Sequence, residues 1–305
     1  MISRTWVFIM LLGSSLTALA QQVPYGNNPA AGHVQLVRGI QFYYEVYGEG
    51  KPLLMIHGNG GSISKFSNNI PYFAERYQVI AVDSRAHGKS TDPGDSLSFE
   101  MMADDFAALL TAMHIDSAYV DSRAHGKSTD PGDSLSFEMM ADDFAALLTA
   151  MHIDSAYVVG WSDGGISAIL LALRHPEKVK KVVSTGANFS PDSTAISPSL
   201  WKKAQNFYVS NKDRVRTTPE EKNKWKVFTL DVLQPNVPLS TLRSIKIPAL
   251  IIAGDHDIIV TEHTVAIART IPNAWLWIVP HSGHATLREH ADEFNRKLDE
   301  FFRYP

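Results

Sequence analysis

The chain has 305 residues, no cysteine and a formal net charge of −4. The near-balanced charge leaves no footprint for nucleic-acid binding, and without cysteine there is neither a disulfide framework nor a lipid anchor on Cys. An apolar content of 45% is ordinary for a globular protein, and the length fits one large domain or two small ones.

Residues 1–20 read as an export signal. Arg4 is the positive start, residues 5–12 (TWVFIMLL) an apolar run, and Ala18-Leu19-Ala20 a cleavage motif before Gln21. The run is too short to span a bilayer. The expectation is a secreted or periplasmic protein cleaved after Ala20, the competing reading being an uncleaved anchor.

Residues 33–37 and 40–46 alternate polar and apolar across Arg38-Gly39 and predict two strands joined by a tight turn. Residues 52–56 (PLLMI) form a continuous apolar run, as in a strand buried on both faces. It enters His57-Gly58-Asn59-Gly60-Gly61, a glycine-rich turn in which backbone N–H groups can approach a ligand closely. Residues 77–82 are the next strand and lead into DSRAHGKS at 83–90.

Residues 83–120 and 121–158 are the same 38-residue string without a substitution. Each copy holds one loop, one amphipathic helix and one short strand. Phe99, Met102, Phe106, Leu109, Leu110 and Met113 share one helical face, as do Phe137, Met140, Phe144, Leu147, Leu148 and Met151. Two units without an echo elsewhere do not make a solenoid, so one copy satisfies a strand–helix alternation and the other is surplus. Either helix can serve, but connectivity requires the strand before residue 162 to come from the second copy. Closing an extra loop of this length costs about 3 kcal/mol, and the surplus apolar face is a candidate for self-association.

Residues 156–159 (AYVV) run into Gly160-Trp161-Ser162-Asp163-Gly164, and a helical pattern follows at once. Strand, sharp Gly-x-Ser-x-Gly turn and helix are the setting of a nucleophile elbow. The bland reading is a helix-entry turn with Ser and Asp as caps. Residues 179–185 form another strand. The strand pattern then stops from 189 to 246, where helices at 197–211 and 218–233 flank a basic run and predict a short helical cap. Strands return at 248–254 and 274–279, followed by Asp255-His256-Asp257 and His281-Ser282-Gly283-His284 respectively, and one helix over 285–302 closes the chain.

The order Ser162, late acid, final His suits acyl transfer. A serine hydroxyl needs a base within hydrogen-bond reach, and a carboxylate must fix the tautomer of that base. His284 is the expected base, with His281 its competitor. Asp257 is the expected acid, with Asp255 bracing the turn and His256 on the loop surface. The oxyanion hole is expected from the N–H groups of Asn59 and Asp163, supported by His57, Gly58 and Gly60. The Asp163 carboxylate either meets a substrate ammonium or complements the helix dipole. No metal-binding spacing is present, and the mechanism needs no cofactor.

HGNGG, DSRAHGKS, GWSDGG, GDHD and SGH, in that order, resemble the motifs of the α/β-hydrolase family over residues 33–303, the surplus copy apart. The resemblance implies an α/β fold with a mostly parallel, doubly wound sheet: core parts at 33–188 and 247–303 around a cap at 189–246. GWSDGG with TGAN is similar to the branch containing valacyclovir hydrolase (biphenyl hydrolase-like proteins). This implies a serine esterase acting on small-molecule carboxylic esters, including aminoacyl esters, with amide, peptide or C–C bond hydrolysis as alternatives. Ala86 and Ala124 depart from a family glycine. Ser162 itself argues against branches that need a carboxylate nucleophile. An alternative of another class is a product left inactive or poorly folded by the duplication.

Overall fold

The computed structural model describes residues 23–37, 40–58, 61–83, 136–150 and 153–305. The expected export signal, the turn at 38–39, Asn59, Gly60 and the first repeat copy from residue 84 onward lie outside the described residues.

Among the described residues eight strands form one sheet: β1 (Gly32–Val37), β2 (Ile40–Tyr47), β3 (Lys51–Ile56), β4 (Tyr77–Val82), β5 (Ala156–Trp161), β6 (Val179–Thr185), β7 (Ala249–Gly254) and β8 (Ala274–Val279). Their spatial order is β1-β2-β4-β3-β5-β6-β7-β8. β2 pairs antiparallel with both β1 and β4, and all other pairings are parallel. Leu53, Leu54, Met55 and Ile56 on β3 are buried, as is every residue of β7. Continuous apolar strands of this kind need cover on both faces.

The helices are α1 (Ile70–Ala74), α2 (Phe137–Ala150), α3 (Asp163–Arg174), α4 (Pro198–Asn211), α5 (Pro219–Leu233), α6 (Thr261–Thr270), α7 (Thr286–Glu289) and α8 (Ala291–Arg303), of which α1, α3 and α6 pack directly on strands. Among the described residues no helix is long and apolar enough to cross a membrane. The single closing helix expected over 285–302 is broken at His290, where φ is −126° and ψ is 45°. The break lets α7 hold Glu289 against the loop before it, while α8 packs Phe294, Leu298, Phe301 and Phe302 into the core.

The second repeat copy fills the core. Phe137, Met140, Phe144, Leu147 and Leu148 of α2 are each at most 1% exposed, a gross gain of ~1.5–3 kcal/mol per large side chain. Asp142 of α2 accepts hydrogen bonds from Arg174 Nε at 2.6 Å, from Arg174 Nη2 at 2.7 Å and from His175 Nε2 at 2.9 Å. These bonds lock α2 onto the end of α3. The first half of β5, Ala156 to Val158, also belongs to the second copy, as connectivity requires.

Removing residues 83–120 therefore deletes nothing from α2 or β5, and Asp121 takes the place of Asp83 after β4. The β4–α2 connection exists in either chain, so the surplus lengthens it rather than creating it, at a cost of about 1 kcal/mol. The shortened chain is expected to keep its activity and to melt about 2–4 °C higher. A lower melting temperature in calorimetry would show that the first copy contributes packing of its own.

The segment expected as a cap leaves the sheet at Phe189 and returns at Val237, where Val237 N–H donates to Phe189 O at 3.2 Å. Tyr208 stacks on Trp225 with centroids 5.8 Å apart, and Phe207 meets Phe228 edge-on at 5.0 Å. The Arg216 guanidinium lies 3.6 Å over the Trp225 ring. The aromatic residues thus hold α4 and α5 to each other.

At the root of this segment Phe189 N–H donates to His263 Nε2 at 3.0 Å. The His263 ring is therefore neutral, with its proton on Nδ1. Burial pushes its pKa below the ordinary 6.5, against a weaker opposing pull from Asp192. Proton uptake would destroy the acceptor. The associated stability is present above pH 6.5 and is lost as pH falls through the lowered folded value. Melting curves taken from about pH 7.5 down to about pH 5 are expected to show this acid-side loss. His263→Gln is expected to flatten it, whereas parallel slopes in the two proteins would rule the linkage out.

Candidate active site

Ser162 stands between β5 and α3 with φ 57° and ψ −120°, a conformation rare for a residue with a side chain. Such strain costs of order 1–3 kcal/mol. Ser162 N–H donates to Thr185 O at 2.9 Å and Ile166 N–H to Ser162 O at 3.0 Å, which pins the turn on both sides. Two glycines make room for it. A Cβ on Gly160 would lie 2.0 Å from Gly164 O, and one on Gly164 would lie 2.2 Å from Ile56 O.

Asp257 follows β7 and His284 follows β8. Parallel strands deliver their C-terminal ends to one edge of the sheet, so residues far apart in sequence converge there. His284 Nδ1 lies 2.7 Å from Asp257 Oδ1, and His284 Nε2 lies 3.0 Å from Ser162 Oγ. The carboxylate makes Nδ1 the donor, which leaves Nε2 to accept from the serine hydroxyl. The Asp257 side chain is fully buried, and its Oδ1 also accepts Ile259 N–H at 3.0 Å. Beneath the imidazole lies Gly186, with φ 66°, where a Cβ would come 2.8 Å from His284 Cε1. An arrangement of this kind can move the serine proton onto the imidazole and stabilise the imidazolium that forms.

The other acid and histidines of the two motifs have different surroundings. Asp255 accepts His256 Nδ1–H at 2.7 Å and the N–H groups of His281 at 3.0 Å and Ser282 at 3.1 Å. The His256 bond first, then the two amides, hold its carboxyl down at about 2. It braces the loop. His256 is exposed, as is His281, whose φ is 54°.

Asp163 opens α3 directly after the serine, which places its backbone N–H at the helix N-terminus, and the residue is 5% exposed. His57 is fully buried and its Nδ1–H donates to Gly58 O at 2.7 Å, while Gly61 N–H reaches the same oxygen at 3.0 Å. Gly58 packs against the nucleophile, since a Cβ there would sit 2.7 Å from Ser162 Cβ. The glycine-rich turn therefore reaches the serine. Asn59 and Gly60, at its tip, are outside the described residues.

Two residues at the site were not foreseen as partners. Trp161 Nε1–H donates to His284 O at 2.8 Å. Glu289 accepts Gly283 N–H at 2.7 Å and Ser282 Oγ–H at 2.9 Å. Trp161 lies inside the elbow motif, yet nothing in its sequence neighbourhood indicates a partner so distant in the chain.

The family model described as "alpha/beta hydrolase fold" matches residues 51–120 and 114–222. Among curated proteins, 2-hydroxymuconate semialdehyde hydrolase of Pseudomonas sp. (strain CF600) is 24% identical, with 90% of this chain and 95% of that protein covered. Human serine hydrolase BPHL is 25% identical, with 88% and 84% covered. Among solved structures, the meta-cleavage product hydrolase CumD of Pseudomonas fluorescens IP01 superposes with a TM-score of 0.62 at 22% identity, over 90% of this chain and 98% of that one.

Proposed function

The chain belongs to the α/β-hydrolase fold family, and from that premise we propose that it is an exported serine hydrolase that cleaves small carboxylic esters through an acyl-enzyme. The observation that carries this reading is the continuous relay Asp257–His284–Ser162, at 2.7 and 3.0 Å, on a strained elbow.

His284 takes the Ser162 proton as Oγ attacks the ester carbonyl. The tetrahedral oxyanion is held by the N–H of Asp163 and, on this reading, of Asn59. His284 then protonates the leaving alkoxide, which departs as alcohol and leaves the acyl group on Ser162. Water, deprotonated by the same imidazole, repeats the cycle and releases the acid. Asp257 stays ionised throughout and keeps the proton on Nδ1 during attack.

The name of the human relative, a serine hydrolase, supports the nucleophile. The bacterial relative is named a semialdehyde hydrolase rather than an esterase, which leaves room for a second reading in which the same relay hydrolyses a C–C bond next to a carbonyl. A panel separates them: p-nitrophenyl acetate and butyrate, an aminoacyl ester with its des-amino analogue, an anilide, and a vinylogous 1,5-diketone. Esters are expected to turn over fastest. Turnover of the diketone alone would replace the ester reading with the second.

A further inference from the structure

Trp161 is the last residue of β5 and the immediate neighbour of Ser162. Its Nε1–H donates to His284 O at 2.8 Å, and its ring centroid lies 5.8 Å from that of the imidazole. The loop that carries His284 has several other ties. Asp255 holds the N–H groups of His281 and Ser282. His256 N–H donates to Ser282 O at 2.9 Å. Glu289 holds Gly283 N–H and the Ser282 hydroxyl. All of these end at residues 281–283, and they fasten the loop to the segment after β7 or to α7. Among the described residues, the one hydrogen bond that reaches the His284 carbonyl comes from Trp161, on the strand that carries the nucleophile.

We propose that Trp161 is a positioning residue: it sets the His284 imidazole in register with Ser162 by tying the backbone of the base to the strand of the nucleophile. The proposal rests on the reading of Ser162 and His284 as nucleophile and base. General-base transfer works over a heavy-atom separation of about 2.6–3.2 Å, and a displacement of about 1 Å costs on the order of 10²-fold in rate. The loop ties at 281–283 stop one residue short of His284, and the bonds from Arg288 and Glu289 N–H to Ala285 O begin one residue beyond it. The Asp257 bond fixes one edge of the ring but leaves the backbone beneath it untied. Indole suits the task, because two torsions place a rigid donor at the end of a large apolar plate. The residue sits at the surface of the site, half-buried rather than in the core, so its replacement need not disturb the sheet.

The test compares Trp161→Gln with Trp161→Met, alone and in a His284→Ala background, by kcat and KM for p-nitrophenyl butyrate. Glutamine offers an amide N–H at roughly the reach of the indole N–H, whereas methionine has similar length and no donor. Trp161→Met is expected to lower kcat about 10- to 100-fold with KM within about twofold, and Trp161→Gln to recover several-fold of that loss. In the His284→Ala background the two variants are expected to match their parent within about twofold, since a residue acting through His284 has nothing left to position. Equal kcat for the Gln and Met variants, or the same loss carried into the His284→Ala background, overturns the role of Trp161 and leaves the triad standing. If His284→Ala alone loses nothing, the triad reading itself fails. Should either variant fail to fold, indole N–H exchange in the intact protein decides: slow exchange at Trp161 is expected, and exchange as fast as that of an exposed indole overturns the proposal.

Discussion

Ser162→Ala is expected to lower kcat for p-nitrophenyl butyrate by about 10⁴- to 10⁶-fold, with KM little changed. Alanine removes one oxygen and leaves the elbow intact, since the turn is held by the backbone of residue 162 through Thr185 O and Ile166 N–H. Folding and substrate binding are therefore preserved while the attacking atom is lost. His284→Ala is expected to cost nearly as much, and the double variant hardly more, because members of one relay fail together. Initial rates measured under saturating ester, with circular dichroism as the folding control, give both numbers. Additive losses would mean that the two residues act in separate steps, which the 3.0 Å contact between them does not allow.

Gly164→Ala is expected to be as damaging, through the fold rather than the chemistry. The added methyl would lie 2.2 Å from Ile56 O and 2.8 Å from His57 O, both backbone atoms at the end of β3. No side-chain rotation relieves a clash with backbone, so β3 and α3 must separate. Overpacking of a close-packed interior typically costs ~1–3 kcal/mol when side chains can give way, and more when they cannot. Against a total stability of ~5–15 kcal/mol, the variant is expected to be largely insoluble or to melt more than about 10 °C below the parent. Ser167→Ala, on the same helix, serves as the comparison. It removes an oxygen whose bond is a 3.7 Å contact to the Met140 sulfur and should cost under about 1.5 kcal/mol. Equal stability of the two variants would contradict the packing of the elbow against β3.

Much of this site is legible in the sequence because its logic is local and ordered. A buried strand announces itself as an unbroken apolar run, and the residue just beyond it must lie at the carboxyl edge of the sheet. Ser162 and Asp257 each follow such a run and His284 follows the apolar run of the edge strand β8, so their meeting needs no knowledge of side-chain contacts. Asp255 and Asp257 both lie at that edge, and it is the structure that separates them: Asp255 takes the amides of His281 and Ser282, and Asp257 takes His284 Nδ1–H. Contacts that depend on packing between distant segments are not legible. The Trp161–His284 bond joins a strand end to a loop carbonyl 123 residues away, and no periodicity encodes it. The break at His290 is hidden because 285–302 is a plausible helix throughout, and the bonds from Ser282 and Gly283 to Glu289 that accompany the bend leave no mark in its periodicity. The short α1 carries too few residues to show a period. The repeat is an extreme case. Two identical strings cannot be told apart by any local property, and only the fixed position of β5 selects the second copy for the strand.

Covalent acylation of Ser162 is the central step of the proposed mechanism, and mass spectrometry tests it directly. The protein is mixed with p-nitrophenyl acetate, quenched in acid within the first turnover and digested. The expected result is one added acetyl group per chain, located on the peptide containing Gly160-Trp161-Ser162-Asp163-Gly164, and absent from Ser162→Ala. Ester turnover without that adduct, or with the acetyl group retained at another residue in Ser162→Ala, would contradict it.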